Sequence, residues 1–233
     1  MDLKLLANAL AKFALGLLLV AALLFIPAGT VHFWNAWALI CALFIPMFIA
    51  GLLMFFKAPE LLRRRLNAKE KQAQQKGVIA WSGLMFVAAF VLAGLGCRFG
   101  WYMLPRWVCL AFAGIFQLGY TLFGEVLREN EYLSRTVEVQ EGQRVVDKGL
   151  YGIVRHPMYS ATLVMFLAMP VILGSAFSFV IMLGYIPIIV ARIRGEEALL
   201  QQELEGYREY ERKVRYRLIP HTSRGSPGTP RTP

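Results

Sequence analysis

Apolar residues in this chain come in runs long enough to cross a bilayer, and that excludes most soluble folds. A spanning helix needs roughly 20 apolar residues, with a range of about 17–25. Four runs reach that length: Leu5 to Ile26, Trp37 to Phe56, Val78 to Cys97 and Trp107 to Gly124. Two more, Ala161 to Leu173 and Phe177 to Ala191, are short and joined tightly at Gly174-Ser175. They read as a helical hairpin whose ends run into polar flanks or sit where the membrane thins. Only 17% of the residues are charged, while 57% are hydrophobic; a soluble domain carries about 25% charged residues. The expected fold class is all-α, a polytopic membrane helical bundle of about six spans including the short C-terminal hairpin.

The net charge of +10 would, in a soluble chain, suggest nucleic acid or an anionic surface as a partner. The positions of the charges decide between them. Of the 25 Lys and Arg, all but Arg98 and Arg106 flank the same side of the runs. They lie at Lys4 and Lys12, between Lys57 and Lys76, between Arg128 and Arg155, and from Arg192 onward. Trp34, Trp37, Trp101, Tyr102 and Trp107 mark the opposite interface as an aromatic belt. The positive-inside rule places both termini and both long loops in the cytoplasm. Membrane lipids are therefore expected partners and nucleic acid is not. The three cysteines show no CxxC or CxxH spacing, so neither a metal site nor a disulfide framework is expected. The first run ends at Ile26-Pro27 without a small-residue cleavage pattern, so a cleavable signal is not expected.

The spans anchor the chain but name no chemistry. That falls to two polar segments beside the hairpin, 125–160 and 192–220. The chain divides accordingly into membrane spans (1–124), a catalytic region (125–220) and a disordered tail (221–233). The first polar segment contains G-L-Y-G-I-V-R-H-P-M-Y at 149–159. Pro157 suits the first turn of a helix, where its missing N–H costs nothing. His156 then sits at the N-cap, and the positive end of the helix dipole offers a place for a carboxylate or phosphate. The second segment opens R-I-R-G-E-E, with Arg192 and Glu196 four apart on one helix face. Leu199, Leu200, Leu204, Tyr207 and Val214 recur at helical spacing, which predicts an amphipathic helix packed back on the bundle. Tyr207 and Tyr210 would present two rings together. Each of these has an ordinary role as a cap, a solvated ion pair or an interfacial anchor. Their gathering at one hairpin mouth favours a site, because ionisable groups at a membrane are costly.

As an ordered set, the G-L-Y-G-I-V-R-H-P-M-Y string, the hairpin, R-x-R-x-E-E-x-x-L, and G-Y-x-x-Y followed by R-x-I-P resembles a known family over about residues 120–220. The family is the isoprenylcysteine carboxyl methyltransferases, with the related phospholipid methyltransferases. The resemblance implies an integral membrane methyltransferase using S-adenosyl-L-methionine, with a cytoplasmic cofactor pocket built from the last hairpin, the preceding loop and the C-terminal segment. The implied cofactor contacts are Gln140, then Gln143, Arg144, Val145 and Val146, then Tyr151, then His156, Pro157, Met158 and Tyr159, and finally Glu196. Arg192 corresponds to the family's arginine at the reacting end of the substrate. The implied acceptor is the carboxylate of an isoprenylcysteine or a similar lipid-like molecule entering from the bilayer; on the residues alone, Met165, Phe166 and Met169 are the candidate lining for its lipid part, between the spans. Alternatives are methyl transfer to a phospholipid or other lipid amine, an NADPH-dependent sterol-type reductase, and a non-catalytic membrane protein.

The residue chemistry suits the first reading. A carboxylate such as Glu196 accepts hydrogen bonds from an ammonium, a helix N-terminus at His156 suits a carboxylate, and Tyr151, Tyr159 and the valines offer a slot for adenine. Gly94-Leu95-Gly96 lies within an apolar run without a preceding strand, so no dinucleotide-binding βαβ unit is expected. A carboxylate acceptor is already ionised and needs no base, and Arg192 would orient it by a two-pronged contact. An amine acceptor would need a base, for which Glu197 and His156 are the first residues to consider.

Overall fold

The computed structural model describes residues 3–66, 73–101, 103–130, 132–133, 139 and 142–220. Tyr102, Gln140 and the whole tail 221–233 lie outside the described residues. Within a bilayer the backbone must satisfy its own hydrogen bonds, and apolar runs answer by coiling into helices. The first two are α1 (Leu3–Ala28) and α2 (Trp34–Lys57). Pro59 then opens the short α3 (Pro59–Leu66). Leu62 buries against Leu5 and Phe55, while Arg63 and Glu60 form an exposed ion pair. Lys12 reaches out of α1 to donate to the carbonyl of Leu66 at 2.7 Å, placing a cation at the negative end of α3.

Next come α4 (Ala73–Arg98) and α5 (Arg106–Glu129). The boundary drawn at 124/125 falls inside α5, which continues straight past Gly124. After a long loop, α6 (Pro157–Ile172), α7 (Ala176–Met182) and α8 (Tyr185–Glu203) form the hairpin. Gly174, at φ +74°, makes the reversal. Among the described residues, five helical stretches are long and apolar enough to cross a membrane, the last being Ala176–Glu203; α6 is a shorter apolar helix. At 16 residues it extends about 24 Å.

Two features of the hairpin differ from the sequence expectation. The run 177–191 is not one helix: it breaks at Leu183-Gly184, where Gly184 caps α8 and Pro187 stands in the first turn without an N–H to satisfy. The amphipathic segment after span six is not continuous either. α8 stops at Glu203, Gly206 adopts a left-handed φ of +80°, and α9 (Tyr207–Lys213) starts in a new direction.

Packing between the helices relies on small residues, as is usual where lipid removes the hydrophobic drive between spans. Ala36, Ala89, Ala93, Ala161 and Ala168 are all fully buried. A Cβ on Gly119 of α5 would sit 2.8 Å from Met165 and 3.2 Å from Val164, so α6 approaches α5 at the distance only glycine allows. Met165 and Met169 therefore fill the core, 5% and 3% exposed, and do not line a lipid path. Phe166 packs edge-on against Phe86 and Tyr185.

The two ends of the bundle are chemically distinct. At one end, Leu104 N–H donates to Gly174 O at 2.9 Å, Met103 pairs with Ser175, and the Arg106 guanidinium lies over the Trp34 ring at 4.9 Å. Arg98 closes on Gly29 at this same end. The α3 helix, the loop 142–156 and the C-terminal segment gather at the other end, with the remaining described cations.

Candidate functional site

The loop between α5 and α6 is fastened at both margins. Glu129, in the last turn of α5, accepts the Leu150 N–H on its two oxygens at 2.8 and 3.1 Å. Gly149 has φ +57° and no room for a Cβ beside that carboxylate, so glycine is required there. A 3-10 turn, Gly149–Gly152, follows and buries Tyr151. Asn130 Nδ2 donates to Tyr151 Oη at 3.0 Å, and Tyr210 Oη donates to Tyr151 O at 2.7 Å. Burial pushes the Tyr151 and Tyr210 phenols above their ordinary range, so both are neutral.

His156 caps α6 and Pro157 occupies its first turn, as the sequence predicts. The use made of that helix end is different. The C-terminal segment crosses it: Tyr216 O and Arg217 O accept the N–H groups of Arg155 and His156, each at 2.9 Å, and Leu218 O accepts Ser160 Oγ–H at 2.6 Å. Tyr159 N–H goes to His156 O and Pro157 has none, so the end offers an incoming anion at most the Met158 amide. Anion binding at this helix end is thus largely pre-empted by the protein's own carbonyls.

Glu197 anchors the crossing. It is 3% exposed. It takes Arg155 Nε–H at 3.0 Å, with the Arg155 terminal nitrogen at 2.9 Å. His156 Nε2 lies at 3.2 Å and an Arg217 nitrogen at 2.6 Å. A carboxylate engaged by two guanidiniums and an imidazole is a structural anion, and Glu197 is not placed to serve as a base. Asp147 and Lys213 add an exposed ion pair at 2.6 Å between the loop and α9.

Between loop, hairpin and C-terminal segment lies an open cleft with room for about 100 Å³ of water-sized contents. Gln143, Arg144, Val145 and Val146 form one wall, Tyr151, His156, Met158 and Tyr159 another, and Arg192 and Glu196 a third. Of the residues singled out from sequence, Pro157 is fully buried outside the cleft lining, and Gln140 is not among the described residues. Arg192 Nε–H donates to Tyr159 Oη at 3.0 Å, and Tyr159 Oη–H donates to Glu196 Oε2 at 2.5 Å.

Sequence reasoning missed several lining residues: Asn130 and Leu133 at the exit of α5, Arg155 within the motif, and Leu199, Leu200 and Leu204 from α8 onward. The leucines looked like a packing stripe, and the stripe faces the cleft. Tyr207 and Tyr210 do stand together, with ring centroids 5.7 Å apart. The Tyr207 hydroxyl is buried without a hydrogen-bond partner, and desolvation raises its pKa well above the ordinary tyrosine value. A buried hydroxyl left unpaired costs about 1–3 kcal/mol, and here it borders the cleft.

The fold and the cleft define a polytopic helical membrane protein with a polar, aromatic-walled site at the cation-rich end of its bundle. Residues 110–202 match the isoprenylcysteine carboxyl methyltransferase (ICMT) family, the family its sequence motifs resemble. The matched segment runs from α5 to the last turn of α8 and contains most of the cleft walls. The family implies a membrane methyltransferase, and the apolar helices make this an integral, multi-pass protein. No curated protein matches the chain.

Proposed function

We propose that the protein transfers a methyl group from S-adenosylmethionine to a lipophilic acceptor in the membrane, with the carboxylate of an isoprenylcysteine or a similar lipid-like acid as the acceptor. One observation carries this reading. Three stretches far apart in sequence, 143–146, 151–159 and 192–196, bring the family-marked residues to one cleft with Arg192 among them. The cleft's chemistry suits the cofactor: a carboxylate at Glu196 for an ammonium, an unpaired buried hydroxyl at Tyr207 for an acceptor atom, and an aromatic and aliphatic wall at Tyr151, Val145 and Leu204 for a flat base.

Bound there, S-adenosylmethionine supplies an electrophilic methyl group. The protein's own part is alignment and exclusion of water. Arg192 orients the acceptor carboxylate. The C-terminal segment, held by Glu197 and by backbone bonds to Arg155 and His156, lends Tyr207 and Tyr210 to the cleft lining. A carboxylate acceptor, which needs no base, is favoured over an amine because Glu197, a base an amine would call on, is committed to Arg155, His156 and Arg217. The cation-rich end supports a cytoplasmic cleft by the positive-inside rule.

Calorimetry on detergent-purified protein tests the cofactor: S-adenosylmethionine should bind, and Glu196→Ala should weaken it. Membranes given labelled S-adenosylmethionine test the acceptor. Base-labile label in the lipid phase is expected for an ester; base-stable label would reject the carboxylate.

A further inference from the structure

The cleft holds two ionic groups with different tasks in the proposed function, Glu196 toward the cofactor and Arg192 toward the acceptor. One side chain touches both. Tyr159 Oη donates to Glu196 Oε2 at 2.5 Å and accepts Arg192 Nε–H at 3.0 Å. A phenol carries a single hydrogen, so donation to Glu196 fixes the direction from which its oxygen receives Arg192. The ring has little freedom to yield. It is 3% exposed, packed among Met182, Tyr185, Ile189 and Ile193, and leans on the His156 ring with centroids 5.7 Å apart.

We infer that Tyr159 is a positioning residue that couples the two halves of the cleft through one hydroxyl. The inference rests on the roles given above to Glu196 and Arg192. A cation arriving at Glu196 draws on the same carboxylate that holds the Tyr159 hydrogen. The phenol oxygen in turn is the acceptor for Arg192, and hydrogen bonds in a chain polarise one another. Occupation of the Glu196 side thus sets the guanidinium for the acceptor, and by linkage the acceptor side acts back on cofactor affinity. Tyr159 acts through Arg192 and is not itself required to touch the reacting atoms.

The test uses the full-length protein with Tyr159→Phe, which keeps the ring and its packing and removes one oxygen. Two quantities are read: S-adenosylmethionine affinity by calorimetry, and the rate of label transfer from labelled S-adenosylmethionine into membrane lipid. The variant should bind the cofactor within about threefold of wild type and transfer label about 10- to 100-fold more slowly, the size of one lost charge-assisted bond. The double variant Tyr159→Phe/Arg192→Ala should be no slower than the slower single one, because the two act as a unit. Arg192→Lys, which keeps the charge and removes the Nε–H donor, should show the same split and serves if Tyr159→Phe fails to fold. Losses that multiply in the double variant would overturn the coupling, as would cofactor affinity falling in step with rate, or full rate in either single variant. Wild-type protein that binds no S-adenosylmethionine, or binds it and labels no lipid, would overturn the functional reading and the coupling with it.

Discussion

Arg155 and Glu197 meet at 2.9 Å with both side chains 4% exposed, 42 positions apart in the chain. This pair ties the start of α6 to α8, and through Arg217 it also holds the C-terminal segment. Removing one partner of a buried pair leaves an uncompensated charge, a loss of about 3–5 kcal/mol. Glu197→Ala should therefore lower the melting temperature in detergent sharply. Glu125→Ala, which breaks an exposed pair with Arg128, should leave the melting temperature where it is. Equal small effects would show that Glu197 is not an anchor.

Tyr207→Phe should separate stability from binding. The hydroxyl is buried and unpaired, so its removal should leave the melting temperature of the cofactor-free protein unchanged or raise it. If it pairs with bound S-adenosylmethionine, the same change should weaken binding about tenfold, the size of one hydrogen bond in a dry site. Unchanged affinity would free Tyr207 from any part in holding the cofactor.

Gly149→Ala tests the loop. A side chain there meets both a left-handed backbone and the Glu129 carboxylate. The strain alone is about 1 kcal/mol or more, and the clash would unseat Leu150 from Glu129. Helical circular dichroism should persist while cofactor binding is lost. Retained binding would mean that the Glu129–Leu150 contact does not shape the cleft.

Acid should loosen α9 through Asp147. The Lys213 ammonium beside it holds the Asp147 carboxyl below its ordinary value of 3.8. A depressed carboxyl contributes stability that is present above the ordinary value and lost as pH falls through the lowered one. The protection factors of residues 207–213, after correction for intrinsic exchange, should not depend on this pair from pH 5 to 8 and should fall in stronger acid. Asp147→Asn should abolish that acid response; an acid response that survives the substitution would place its origin elsewhere.

Much of this organisation is legible in the sequence, because the information is local. Runs of apolar residues, the cap at His156-Pro157 and the shared helix face of Arg192 and Glu196 each depend on neighbours a few positions away. The separation of Arg98 and Arg106 from the other cations follows from counting runs. What is not legible depends on distant partners. Nothing near Glu197 shows that Arg155 and Arg217 will close on it, and so it read as a possible base. Nothing near Pro157 shows that Tyr216 and Arg217 will supply carbonyls to the helix end. Met165 looks like any lipid-facing residue until Gly119 opens a place for it. The breaks at Gly184 and Gly206 were visible as glycines, but glycine within an apolar or amphipathic run is ambiguous until packing selects the bent form.

The segment 204–218, which lends Leu204, Tyr207 and Tyr210 to the cleft lining, has a consequence for biosynthesis. The five candidate spans among the described residues precede it in the chain, so they can be threaded into the membrane before this segment has left the ribosome. A polypeptide stopped ahead of Val214 would keep these spans and yet lack the carbonyls of Tyr216 and Arg217 and the Arg217 guanidinium that meets Glu197. Such a product would be inserted and anchored, with Glu197 short of one of its two guanidinium partners.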